Sequence, residues 1–177
     1  LQLIMVRNHL DLYIGIYRQC QKRWLKMFKV YKNILTKDQQ KNLLNFVKNK
    51  VKKIGPKYPG LQSNNNLHTY KELNIFLEKI KKYIDTNNIL GCWVNYTNGD
   101  HISWHNHPSK YSLVYYLHNK DNVGVMFRNM SNMNYYLIEY TEGLENSMVV
   151  FDSSRIHSVP NSSKKLDRYT LVMDLNG

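Results

Sequence analysis

The stretch Tyr96-Thr97-Asn98-Gly99-Asp100-His101-Ile102-Ser103-Trp104-His105-Asn106-His107-Pro108 decides how this chain is read. Asn98-Gly99-Asp100 is a turn signal between two runs of β-forming residues, so the stretch predicts strand, turn, strand. On a strand, residues i and i+2 point to one face, which sets His105 beside His107. A His-x-His pair is a weak motif by itself, since a strand near a tyrosine-rich core also holds hydrogen-bonded histidines without a metal. His157, after a later apolar run, offers a third imidazole. Three such groups on one face of a barrel suit Fe(II) with open positions, or zinc with a bound water. His9, His68 and His118 lack a partner at useful spacing; His101 shares strand parity with His105 but is left out of the set.

Upstream of this stretch the hydrophobic period is helical. Thr36 and Gln39 form a capping-box pattern, followed by Leu44, Val47, Val51 and Ile54 at helical spacing and a stop at Gly55-Pro56. A second box, Thr69 to Glu72, opens a predicted helix that carries Leu73, Phe76, Leu77, Ile80 and Ile84 on one face. The segment before Lys29 also reads as helical. From residue 89 the period becomes alternating, with short runs at 90–97, 101–107, 111–118, 123–128, 135–140, 147–151, 156–159 and 168–175. Helices followed by about eight short strands indicate an α+β protein built on a sandwich or small barrel. The expected organisation is a single domain: a basic helical region, 1–88, supports a β core, 89–177.

The 177 residues are enough to bury one core, and 42% hydrophobic with 21% charged residues is ordinary for a globular chain. The net charge of +12 is uneven: residues 1–60 hold 14 Lys/Arg against 2 Asp/Glu, and the remainder 11 against 11. A basic third of that kind can attract nucleic acid, although lysines on amphipathic helices more often form a solvated face. Cys20 and Cys92 fit no zinc or redox spacing, which is compatible with a reducing, cytoplasmic setting. No apolar run reaches the roughly 20 residues of a membrane span, and no signal-peptide pattern is expected.

Four pieces, in order across residues 30–175, resemble the 2-oxoglutarate- and Fe(II)-dependent dioxygenases. The run from Tyr96 to His105 is similar to the family's first metal-ligand region, where a tyrosine precedes a glycine turn and the first iron histidine. Ser112-Leu113-Val114-Tyr115-Tyr116-Leu117-His118-Asn119 resembles the Tyr-Tyr-Leu-Asn strand of the prolyl hydroxylase branch. The run 147–152 followed by Ile156-His157-Ser158-Val159 resembles the strand leading into the distal iron histidine, and Arg168-Tyr169-Thr170-Leu171 the strand that holds the cosubstrate.

The resemblance implies a double-stranded β-helix (jelly-roll) core with the N-terminal helices packed on one sheet. It implies an enzyme that hydroxylates a C–H bond with succinate and CO2 as coproducts, most readily on a protein or peptide side chain. His105, His107 and His157 would hold Fe(II), and Arg168 would pair with the distal carboxylate of 2-oxoglutarate through its planar fork. Tyr116 and Thr170 would bond that same carboxylate, and Tyr96 would lie at the cosubstrate's other end, beside the metal. No catalytic group beyond the metal centre is implied. Loops at 108–111, 129–135 and 56–68 would shape substrate choice. A nucleobase-directed oxygenase and a non-catalytic or zinc-binding interaction module remain the competing readings. The departure is His107, where most of the superfamily carries Asp or Glu; Asp100 and Asp152 are the nearest alternative carboxylates, and neither has the i, i+2 relation to His105. His107 is expected as a ligand or, failing that, as a group beside the metal. A version reading His-x-His-Pro-Ser resembles oxygenases of bacterial and phage origin, which would place the protein in the cytoplasm of a host cell.

Overall fold

In the computed structural model, which describes residues 28–54, 58–128, 135–137 and 143–176, ten strands form two antiparallel sheets. The larger runs β1 (Phe28–Lys32), β8 (Ser147–Asp152), β5 (Tyr111–Asn119), β10 (Asp167–Leu175), β3 (Ile89–Asn98) and β2 (Leu61–Gln62) in spatial order. The smaller runs β4 (Ile102–His105), β9 (His157–Val159), β6 (Met126–Arg128) and β7 (Tyr135–Leu137). Two facing antiparallel sheets whose connections pass from one to the other make a double-stranded β-helix.

The alternation of β10 separates core from site. Tyr169, Leu171, Met173 and Leu175 join the cluster under the helices, while Arg168, Thr170 and Val172 line a cavity between the sheets. Register carries the same division to its neighbours: Thr170 pairs with Asn95 on β3 and Tyr116 on β5, and Val172 with Trp93 and Val114. Helix α1 (Lys37–Lys48) and helix α2 (Asn74–Ile80) cover the outer face of the larger sheet with Leu43, Val47, Phe76 and Ile80, all buried. Each such side chain contributes about 1.5–3 kcal/mol through burial. Because both faces of β5 and β10 are covered, these strands are buried along most of their length.

The Thr36 capping box is present: Gln39 N–H donates to Thr36 Oγ1 at 3.3 Å and Thr36 N–H to Gln39 Oε1 at 3.0 Å. Helix α1 ends at Lys48, nearly two turns before the expected stop at Gly55-Pro56, because Lys52 pairs with Gln62 in a β-bridge. The second expected box does not form. Thr69 Oγ1 donates back to the Asn66 carbonyl at 2.9 Å, and two 3-10 turns (Leu67–Thr69 and Lys71–Leu73) precede a shorter α2. Strands β1 and β2, at the two edges of the larger sheet, come from sequence with no strand expectation. The helical expectation before Lys29 falls, apart from Phe28 in β1, outside the described residues, as do 138–140 of the fifth run. No helix among the described residues is long and apolar enough to cross a membrane.

Candidate metal and cosubstrate site

Strands β4 and β9 bring two histidines together directly, since His105 and His157 are cross-strand partners. His107 lies two residues past the end of β4, where its N–H donates to the Ser153 carbonyl at 3.0 Å. One ring nitrogen from each of the three lies within 4.8 Å of the others. Every Nδ1 is already engaged: His105 with the Ser103 carbonyl at 2.7 Å, His157 with the Arg155 carbonyl at 2.9 Å and His107 with Asp174 Oδ2 at 2.8 Å. Nδ1–H donation to an oxygen fixes the tautomer and leaves Nε2 as a lone-pair donor, the pattern of metal-binding imidazoles. His107 Nε2 is buried and has no partner, the orphan expected where a ligand belongs. Burial, helped by the neighbouring rings, pushes His157 down to about 4, and burial also lowers His105. Both are therefore neutral at pH 7, as metal binding requires.

Across the cavity, Arg168 is 2% exposed. Its Nε and Nη2 donate to Thr97 Oγ1 at 3.1 and 2.9 Å, and Nη2 also to the Asp100 carbonyl at 3.2 Å. Nη1 is buried without a hydrogen-bond partner, 4.0 Å from an equally unpartnered Asp121 Oδ2. Burial lowers the guanidinium pKa and Asp121 opposes that shift; an arginine stays charged regardless. The Tyr58 hydroxyl, buried without a partner, lines the same cavity near Arg168, and burial pushes its pKa up to about 12. Its loop is pressed onto β3 at Gly60, where a Cβ would sit 1.9 Å from the Tyr96 carbonyl oxygen. The cavity joining these groups has a volume of about 490 Å3, and no carboxylate is among the described residues that line it.

No protein-family model matches the sequence, and no curated protein sequence matches it. Solved structures do match. A prolyl-4-hydroxylase from Pseudomonas putida superposes with a TM-score of 0.60 at 12% identity, over 84% of this chain and 91% of that one. A Trichoplax adhaerens prolyl hydroxylase, solved with a hypoxia-inducible-factor peptide fragment, gives 0.59 at 14% identity, over 89% and 92%. HygX from Streptomyces hygroscopicus, solved with nickel, 2-oxoglutarate and hygromycin B, gives 0.59 at 8% identity, over 86% and 84%. This chain has the fold of the 2-oxoglutarate- and Fe(II)-dependent oxygenases.

Within that oxygenase fold, six of the seven site residues expected from sequence surround one cavity: His105, His107, His157, Arg168, Thr170 and Tyr116. The Tyr116 hydroxyl accepts from Val125 N–H at 2.9 Å. Tyr96 is the correction. It lies on the opposite face of β3, its ring 4.9 Å from that of Tyr169 and its hydroxyl donating to Asp167 at 2.9 Å. The inward positions of β3 are its odd-numbered neighbours, Trp93, Asn95 and Thr97, and Asn95 Oδ1 accepts from Gln62 Nε2 at 2.7 Å in the cavity wall. Alternation forces Tyr96 and Asn95 apart, but sequence alone does not say which of them is inside. His101 stays out of the cluster, with its Nδ1 on the Val159 carbonyl. The 108–111 loop does not line the cavity and instead braces it, Ser109 Oγ donating to Ser153 Oγ at 2.7 Å. Tyr58, Pro59 and Gln62 do line it, as expected of the 56–68 loop, whereas 129–134 lies outside the described residues.

Proposed function

We propose that the protein is a 2-oxoglutarate- and Fe(II)-dependent oxygenase that hydroxylates a C–H bond of a protein or peptide side chain. The observation that carries this reading is one cavity with the unpartnered His107 Nε2, grouped with the His105 and His157 rings, at one end and the buried, unpartnered Arg168 Nη1 at the other. A borderline metal fits the first, and a carboxylate fits the second. His105, His107 and His157 would hold Fe(II), and Arg168, with Thr170 and Tyr116, would hold the distal carboxylate of 2-oxoglutarate. When bound, iron and cosubstrate supply the oxygen activation and release succinate and CO2.

The chain's own part is positional. Thr97 and the Asp100 carbonyl hold three of the five Arg168 N–H bonds, which leaves the two on Nη1 for an anion that replaces their lost hydration. Val114, Val123, Val125 and Val172 line the space between the two ends and keep water from it. At the mouth, Ile102, Trp104 and Val159 are apolar and the Gln62–Asn95 pair offers amide hydrogen bonds. That combination suits an uncharged backbone segment, and the Trichoplax adhaerens neighbour is a peptide-bound hydroxylase. For nucleic acid there is no comparable support, and residues 1–27 of the basic third lie outside the described residues.

Anaerobic addition of Fe(II) and 2-oxoglutarate tests metal, cosubstrate and cavity together. The expected result is the weak visible charge-transfer band of the chelate, with succinate formed once oxygen is admitted. Zinc retained in preference to iron, or no band, would favour the interaction-module reading instead.

A further inference from the structure

The three imidazoles are not held alike. His105 and His157 each direct Nδ1 to the main-chain carbonyl two residues before them, Ser103 and Arg155. His107 directs its Nδ1 to a side-chain carboxylate from a different strand, Asp174 on β10. This is the position where the resembling oxygenases carry a carboxylate ligand. Both groups are close to fully buried, with side chains 11% and 14% exposed. A buried carboxylate costs several kcal/mol unless its charge is used, and the hydrogen-bond partner of Asp174 Oδ2 here is the His107 imidazole. It is also held in place: Ser112 Oγ donates to Asp174 Oδ1 at 2.8 Å, Ser112 and Ser153 hydroxyls are 2.8 Å apart, and the Ser153 carbonyl accepts from His107 N–H. One network therefore fixes the backbone, ring and tautomer of His107.

We propose that Asp174 is a positioning residue that moves the family's carboxylate one group outward, holding His107 as the Nδ1–H tautomer and supplying through it the negative charge that three imidazoles lack. The inference rests on the metal reading above. A carboxylate behind an imidazole raises its basicity as a ligand, and loss of such a partner typically costs about 10–100-fold in metal affinity. Asp174→Asn keeps an acceptor oxygen for His107, and Ser112 can turn its hydroxyl to accept from the new amide N–H, so only the charge is lost. Ala removes both charge and acceptor.

The test measures Co(II) affinity of the whole protein by competition with a chelator, and the His107 tautomer by 15N NMR of the metal-free protein. Expected are an Nδ1–H tautomer in the wild type, weakening of Co(II) binding by about tenfold in D174N and by up to about 100-fold in D174A, and a mixed tautomer in D174A alone. Circular dichroism checks that each variant folds; D174N preserves the packing if D174A does not. Wild-type Co(II) affinity in D174N together with D174A, or an Nε2–H tautomer of His107 in the wild type, overturns the proposal while leaving the metal site standing. A wild-type protein that binds neither Co(II) nor Fe(II) overturns the metal reading and this inference with it.

Discussion

At one end of the cavity three imidazoles are grouped, the innermost of them, His157, buried without its charge, and at the other a guanidinium is buried with it. The histidines can lose a proton, so burial neutralises His157 and converts a desolvation penalty into readiness to bind a cation. Arg168 cannot do this, and the fold instead places Thr97, the Asp100 carbonyl and the Asp121 carboxylate around it. One end therefore offers imidazole lone pairs that attract cations, and the other is a cationic site that attracts anions. The two are separable by experiment.

The largest effect is expected from His157→Ala, which should weaken Fe(II) or Co(II) binding by about 100-fold or more while leaving the Arg168 end intact. Arg168→Ala should do the reverse: metal affinity within about threefold of wild type, but 2-oxoglutarate binding weakened by about 100-fold or more. It should also cost about 3–5 kcal/mol in stability, since Asp121 is left buried and unpaired. Equal loss of both ligands in both variants would mean that the ends do not act separately.

Acidification should reveal the imidazole end next. His157 is neutral in the folded chain down to about pH 4, whereas its unfolded counterpart takes up a proton at about 6.5. The unfolded state therefore binds more protons in that window, and the metal-free protein should lose stability as pH falls from about 6.5 towards 4, by roughly 3 kcal/mol, with no change from this group above it. Urea titrations across that range check this, and His157→Gln should flatten the slope. Thr97→Val comes after it: loss of the shared acceptor of Arg168 Nε and Nη2 should cost about 1–3 kcal/mol and weaken 2-oxoglutarate binding about tenfold, with Thr97→Ser restoring most of it. Smallest is Tyr96→Phe, expected within about 0.5 kcal/mol of wild type and without effect on 2-oxoglutarate binding. Cosubstrate affinity that depended on the Tyr96 hydroxyl would contradict its outward placement.

What the sequence shows and what it hides follow from the range of each signal. The Thr36–Gln39 box is legible because both halves of the interaction lie within one turn. The His105 and His157 pairing is legible only by resemblance, since it joins residues on strands far apart in sequence. Tyr96 is misplaced by one residue, because a strand's alternation has two phases and the Gly99 turn, at φ +74°, separates β3 from the phase of His105. Asp174 is invisible for a different reason: its partner lies 67 residues away, and neither residue carries a pattern pointing to the other. Helix α1 reads too long because Lys52 obeys the helical period while its backbone pairs with Gln62.

Trp93 lies nearly parallel to the His107 ring, with centroids 5.6 Å apart and an interplanar angle of 12°. An open-shell ion on His107 would sit within quenching distance of that indole. The protein thus carries its own optical reporter: iron or cobalt entering the site should dim tryptophan emission, zinc should leave it largely unchanged, and Trp93→Phe should remove the Trp93 share of the difference while Trp104, on the same cavity, keeps the rest.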